Sequence, residues 1–156
     1  MGTATPADRV VAALHHGGVA AEVRRFDQPV PTAAAAAAAL GCDVGAIANS
    51  LVFEADGTPL LVLASGAHRV DTGKVAALVG AQRVRRAPPE FVLAATGQEV
   101  GGVAPVGHPA PLRTVVDVDL SAFPLLWAGG GDHHTMFSAT YEDLLRVTGG
   151  VAAAVA

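Results

Sequence analysis

One segment of the chain suits chemistry done by the backbone rather than by side chains: Gly101-Gly102-Val103-Ala104-Pro105-Val106-Gly107, three glycines and one proline in seven residues. Glycine admits positive φ and lets a ligand approach the main chain, while proline stiffens the loop, so the segment can form a rigid cradle of N–H donors. Taken alone, the same composition also describes an ordinary tight connection. The six histidines raise a second possibility. His133 and His134 follow Gly129-Gly130-Gly131-Asp132, and His68 or His108 could join them in space. No H-x-x-x-H or H-E-x-x-H spacing occurs, so no metal is expected, and a loop presenting polar rings to a small ligand is the better reading. A serine hydrolase places its nucleophile in a strained G-x-S-x-G turn, which is absent; Ser65 and Ser138 read as strand-end or cap residues. Cys42 reads as a small buried residue at a helix end. The Gly129–Gly131 run also lacks the long, directly following helix of a dinucleotide fold.

The elements that must position these residues belong to a chain of 156 residues, 51% hydrophobic and 15% charged. That is enough for one domain, residues 1–156, with a real core and no disordered character. The single cysteine excludes an intramolecular disulfide and suits a reducing compartment, so a cytoplasmic protein is expected. No apolar run approaches the ~20 residues that cross a bilayer, and no membrane partner is expected. A net charge of −4 argues against a DNA-binding protein. Arg83, Arg85 and Arg86, with Arg69 and Lys74 nearby in sequence, form a local basic cluster compatible with a weak, transient RNA contact.

Punctuation along the chain predicts alternating helices and strands. Thr5-Pro6 starts a helix that stops at Gly17-Gly18, and a short strand covers residues 21–26. Thr32 caps a second helix, the alanine run from Ala33 to Ala39, which ends at Gly41. Residues 50–54 and 60–64 flank Ala55-Asp56-Gly57-Thr58-Pro59, a strong hairpin signal. Asp71 caps a helix that ends before Gly80, residues 83–86 form a short strand, and Pro88-Pro89-Glu90 starts a helix ending at Thr96-Gly97. Strands are expected at 114–119 and 125–128, and a last helix runs from Thr140 to Gly149-Gly150. The pattern is that of a single mixed α/β domain without internal repeats.

Four pieces in order then bring a family into view. They are Ile47-Ala48-Asn49-Ser50-Leu51-Val52-Phe53; Ser65-Gly66-Ala67-His68-Arg69-Val70-Asp71; Ala95-Thr96-Gly97 leading into the 101–107 loop; and Gly129-Gly130-Gly131 before Glu142-Asp143-Leu144-Leu145. Together they resemble the YbaK/prolyl-tRNA synthetase-associated aminoacyl-tRNA editing domain, from about Phe26 to Gly149. The resemblance implies a compact α/β fold around a mixed, strongly curved, barrel-like sheet flanked by helices. It also implies a free-standing hydrolase, without cofactor, that cleaves the ester of a mischarged tRNA, commonly tRNA for proline. The partner is then a mischarged aminoacyl-tRNA met transiently, with a synthetase as a further partner, and the chain acts as monomer or homodimer.

In that family the glycine-x-x-x-proline loop, here Gly101 through Pro105, contacts the aminoacyl ester through backbone groups. Gly101 and Gly102 would stabilise the oxyanion while a ribose hydroxyl of the substrate helps position the attacking water. Pro105 and Gly107 complete the loop, and His68 borders the pocket. Gly130, Gly131, Asp132, His133 and His134 stand where family members line the side-chain pocket, with one of the two histidines expected to reach it. Asn49 marks a departure, because many members carry a lysine there. An amide still hydrogen-bonds to ribose or phosphate but lacks the charge. That substitution and the acidic net charge leave open a non-catalytic module of the same fold that binds a small molecule, tRNA or a synthetase.

Overall fold

The computed structural model describes residues 3–156. Thr5 opens helix α1 (Pro6–His16) with a reciprocal cap: its hydroxyl accepts from the Asp8 amide and the Asp8 carboxylate accepts from the Thr5 amide. Strand β1 (Val23–Arg25) is shorter than expected. Thr32 caps α2 (Ala33–Leu40), which ends on a left-handed Gly41. Strands β2 (Ile47–Ala55) and β3 (Thr58–Ser65) form the anticipated hairpin, and Asp56 and Gly57 take the two positive φ values, 51° and 86°, of a type I′ turn. Next come α3 (Thr72–Val79), β4 (Val84–Arg86) and α4 (Pro89–Thr96). Strand β5 (Arg113–Asp117) stops two residues before the expected end. There the Asp117 carboxylate accepts from the Asp119 amide and starts a 3-10 turn, Val118–Ala122. The chain closes with β6 (Leu126–Gly129), β7 (Thr135–Ala139), α5 (Tyr141–Thr148) and β8 (Val151–Ala153). Strands β7 and β8 were not anticipated. All five residues of β7 are buried, so it lacks the in–out alternation that marks a strand.

The strands make one mixed sheet in the order β1-β7-β6-β2-β3-β5-β8, with β4 added to β2. The pairs β2–β6, β3–β5 and β5–β8 are parallel and the others antiparallel. The expected barrel-like form is not observed. The order is an open path from β1 to β8, and among the described residues no ladder joins these two end strands. One face buries Leu61, Leu63, Val116 and Phe137 beneath α1, α4 and α5, the last through Leu144. The other buries Phe53, Leu60, Val62 and Val115 against Val75 and Val79 of α3.

One local irregularity sets up the site. Strand β2 pairs with β3 from Ala48 to Ala55, but its other edge is shared. Strand β6 takes Ile47 and Ala48, and β4 takes Phe53, Glu54 and Ala55. Residues 49–52 therefore have no strand beside them on that edge.

Candidate active site

Register decides which main-chain groups face this gap. In a hairpin closed by two residues the pair Ala55–Thr58 is hydrogen-bonded, so Phe53, Leu51 and Asn49 also bond towards β3, while Glu54, Val52 and Ser50 turn their N–H and C=O to the opposite edge. Two bonds fix the phase: the Gly66 amide donates to the Ile47 carbonyl (2.7 Å) and the Ala87 amide donates to the Val52 carbonyl (3.2 Å). Ser50 is thus the residue whose main chain looks into the gap with no strand opposite. Its hydroxyl is buried as well and has no hydrogen-bond partner among the described residues.

A cavity of about 340 Å³ occupies the gap. Asn49 and Ser50 line it from β2, the small side chains of Ala33 and Ala36 let α2 approach from one side, and Arg86 stands at the β4 end. Gly101, Val103, Gly129, Asp132 and Thr135 contribute from the two glycine-rich loops. Of the basic cluster, only Arg86 lines this space. Its guanidinium lies 5.7 Å from the Phe53 ring centroid, a stacked position that holds a cation at the rim, whereas Arg85 pairs with Glu54 at 3.2 Å.

The two glycine loops, distant in sequence, touch each other through backbone. A Cβ on Gly102 would lie 2.7 Å from the Asp132 carbonyl carbon, and one on Gly129 would lie 2.6 Å from the Val103 carbonyl oxygen. Packing between loops is sufficient to require glycine at both positions. Glu99 to Gly102 form a type II turn: the Gly102 amide donates to the Glu99 carbonyl (2.9 Å) and Gly101 has φ 90°. The central peptide of such a turn carries the Val100 carbonyl on one side and the Gly101 N–H on the other. His133 Nε2 donates to that carbonyl at 2.9 Å, which fixes the Gly101 N–H in the opposite direction. Among the described residues the Gly101 and Val103 amides have no acceptor, whereas the Gly102 amide is spent inside the turn and Gly102 does not line the cavity.

The fold places the other expected site residues around this cavity rather than in it. Pro105 is buried in the loop interior, Gly107 packs on Val10 of α1, and Gly131 packs on Pro6. The Gly130 amide donates to the Thr135 carbonyl (2.8 Å) and closes the 130–135 turn. The Asp132 carboxylate accepts from the His134 amide and the Thr135 hydroxyl, both at 2.8 Å. His134 Nδ1 meets the Phe26 carbonyl at 3.0 Å, so both histidines tie loops together and neither lines the cavity. His68 is also outside it, with Nδ1 2.8 Å from the buried Asp117 carboxylate and Nε2 3.3 Å from Asp119. These three are the one group of described residues with donor atoms placed for a cation, all within 4.8 Å. Burial pushes the Cys42 thiol pKa up and the Asp43 charge adds to it, which disfavours a thiolate.

Residues 27–147 match the family model described as the aminoacyl-tRNA editing domain. The chain belongs to that family. A solved structure described as a candidate trans-editing enzyme for prolyl tRNA synthetase shares 41% identity with it, superposes with a TM-score of 0.91, and the match covers 99% of this chain and 98% of that one. YwhH of Bacillus subtilis (strain 168) is 30% identical over 124 residues, 79% of this chain and 78% of YwhH. The proline–tRNA ligase of the same strain is 38% identical over 88 residues, 55% of this chain but 16% of the ligase. This editing domain also owes its site to residues that motif reading passed over. Gln98 is fully buried and clamps the loop by accepting from the Ala104 amide (2.7 Å) and donating to the Val106 carbonyl (3.2 Å). In the sequence it is one polar residue between Gly97 and Glu99, with nothing to mark it as buried. Ser50 stood in the Ile47–Phe53 piece without a role of its own, and Arg86 was marked only as part of the basic cluster.

Proposed function

We propose that this protein is a free-standing aminoacyl-tRNA deacylase that hydrolyses the ester of a mischarged tRNA of the proline type. The carrying observation is the cavity in the broken edge of β2, lined by Gly101 and Val103, whose amides are unspent, by the polar pair Asn49-Ser50 and by small apolar walls. The likeness to a segment of proline–tRNA ligase and to a candidate trans-editing enzyme for prolyl tRNA synthetase supports the choice of a proline-type tRNA.

No side-chain nucleophile is invoked. Of the hydroxyls around the cavity, Thr32 accepts from the Ala35 amide, Thr135 donates to Asp132, and Ser50 has no partner, so none is paired with a histidine base. An aminoacyl ester is already activated, and orientation with oxyanion stabilisation suffices. Water adds to the ester carbon, the oxyanion is held by the Gly101 and Val103 amides, and the C–O bond to the ribose breaks. The proton passes through the neighbouring ribose hydroxyl to the leaving oxygen, giving free amino acid and uncharged tRNA. Gly102 serves here by packing on Asp132, and the second amide donor becomes Val103. Asn49 hydrogen-bonds to the terminal adenosine, and Arg86 supplies at the rim the positive charge that Asn49 lacks.

The test is deacylation of a panel of mischarged tRNAs, with a chelator as control. Turnover of at least one pair, insensitive to chelation, is expected. Binding without turnover on every pair would replace this reading with the non-catalytic module, which the asparagine at position 49 favours. Loss of activity on chelation would move the chemistry to a bound metal, for which His68, Asp117 and Asp119 are the placed ligands.

A further inference from the structure

Ser50 is the residue of the cavity left with the most unspent hydrogen-bonding capacity. Its position in the hairpin register turns its main-chain N–H and carbonyl into the gap, and its hydroxyl is buried without a partner. A buried hydroxyl left unpaired is costly, and native structures rarely retain one without a use. The capacity is weighted towards accepting: the carbonyl and the hydroxyl oxygen offer two lone pairs each against the two donors of the amide and the hydroxyl, and Asp132, an acidic residue, lines the same cavity. Ser50 lies two residues beyond Ala48, which pairs with Ala128 of β6, so it stands at the end of the gap nearest the Gly129–Asp132 loop. The cation at the rim, Arg86, is across from Phe53 at the other end. The cavity is therefore polarised along β2, with acceptors and a negative charge at one end and a positive charge at the other.

We propose that Ser50 is a substrate-positioning residue whose hydroxyl and carbonyl accept hydrogen bonds from the α-ammonium group of the bound amino acid. This rests on the deacylase reading and extends it. A primary ammonium has three donors and one positive charge, which matches two acceptors from one residue beside a carboxylate. An aminoacyl group so held points its ester towards the Gly101 amide and its tRNA end towards Arg86. The recognised feature is common to amino acids of every side chain. Ser50 thus fixes where the ester lies, and the walls of Ala33, Ala36 and Val103 are left to select the side chain.

The experiment pairs a variant with a missing ligand group. Two non-hydrolysable probes are used, 3′-alanylamido-adenosine and its propionyl counterpart, which lacks only the amino group. Their dissociation constants are measured by calorimetry for the wild type, Ser50→Ala and Ser50→Thr. Ser50→Ala is expected to weaken the alanyl probe about 10-fold, in line with one hydrogen bond to a charged group. The propionyl probe should change less than about twofold, and Ser50→Thr should restore most of the loss by keeping the hydroxyl. Equal weakening of both probes, or no weakening of the alanyl probe, overturns the proposal. So does wild-type binding that does not distinguish the two probes, and failure to bind either overturns the deacylase reading with it. Ser50-dependent discrimination in a protein that turns over no mischarged tRNA would sustain this inference and overturn the deacylase reading alone.

Discussion

The bond from His133 to the Val100 carbonyl gives the sharpest test of a backbone oxyanion site, because it acts on the orientation of a peptide and on no substrate atom. The perturbation is His133→Ala. Types I and II of the Glu99–Gly102 turn differ by rotation of the central peptide, and with glycine at position 101 both are sterically open. The 2.9 Å bond from His133 Nε2 favours the orientation seen here. A neutral hydrogen bond contributes a net of about 0.5–1.5 kcal/mol, so its loss shifts the balance between the two orientations by about 2- to 12-fold. Only one orientation aims the Gly101 amide away from His133, and kcat/KM follows the fraction of molecules that hold it. The loss in kcat/KM is therefore bounded at about 12-fold, well below the ~100- to 1,000-fold loss from removing an oxyanion donor outright. His133→Gln retains a donor and should recover part of it. The assay is single-turnover deacylation of a mischarged tRNA, with denaturant unfolding of each variant in parallel. Loss of stability with unchanged kcat/KM would refute the reasoning by making His133 only a loop staple. A loss beyond about 100-fold would refute it the other way, by requiring His133 to touch the reacting atoms.

Three further outcomes follow from the same geometry. Gly102→Ala places a methyl 2.7 Å from the Asp132 backbone, which cannot swing aside as a side chain would, so destabilisation of about 1–3 kcal/mol is expected in denaturant unfolding; a change below about 0.5 kcal/mol would show the loops to be less tightly apposed. Arg86→Gln should lower kcat/KM on tRNA and reduce the slope of log kcat/KM against log salt by about 0.7, whereas an unchanged slope would remove Arg86 from phosphate contact. Burial lowers the pKa of His108, partly offset by its 2.8 Å bond to the Ala104 carbonyl, so the unfolded chain takes up a proton near 6.5 that the folded chain refuses. Stability should therefore decline as pH falls below about 6.5 and level off once the folded pKa is passed; His108→Gln should flatten that part of the profile, and an unaltered profile would assign the decline to other groups.

Most local structure was written in the caps. Thr5, Thr32, Asp71 and Thr140 each accept from the amide three residues on, as their types and places predict, and Asp56-Gly57 closes the hairpin. Local chemistry settles such features, so a sequence displays them. Asn49, Gly101 and Asp132 do reach one cavity, but Gly102, Pro105, Gly107, Gly130 and Gly131 serve contacts between loops or with α1. Glycine required by a neighbouring backbone and glycine required by a ligand have the same spelling. The histidines were misleading for a related reason: the acceptors of His133 and His134 are main-chain carbonyls of Val100 and Phe26, which no motif records.

The origin of the cavity carries this distinction furthest. Strand β4 ends at Arg86 because Ala87-Pro88-Pro89 follows: proline has no amide for a ladder, and Pro89 is already the first residue of α4. Strand β6 ends at Gly129, where the Val103 carbonyl comes too close for any Cβ and the glycine run turns the chain. Had either strand continued, it would have covered Ser50 and paired its free edge. The two stops are plain in the sequence as proline and glycine clusters, about 40 residues apart. That both fall against the same edge of β2, at its two ends, is a property of strand order alone. The site is the space these two interruptions leave between them, and for that reason Ser50, whose buried hydroxyl is left without a partner, carried no motif of its own.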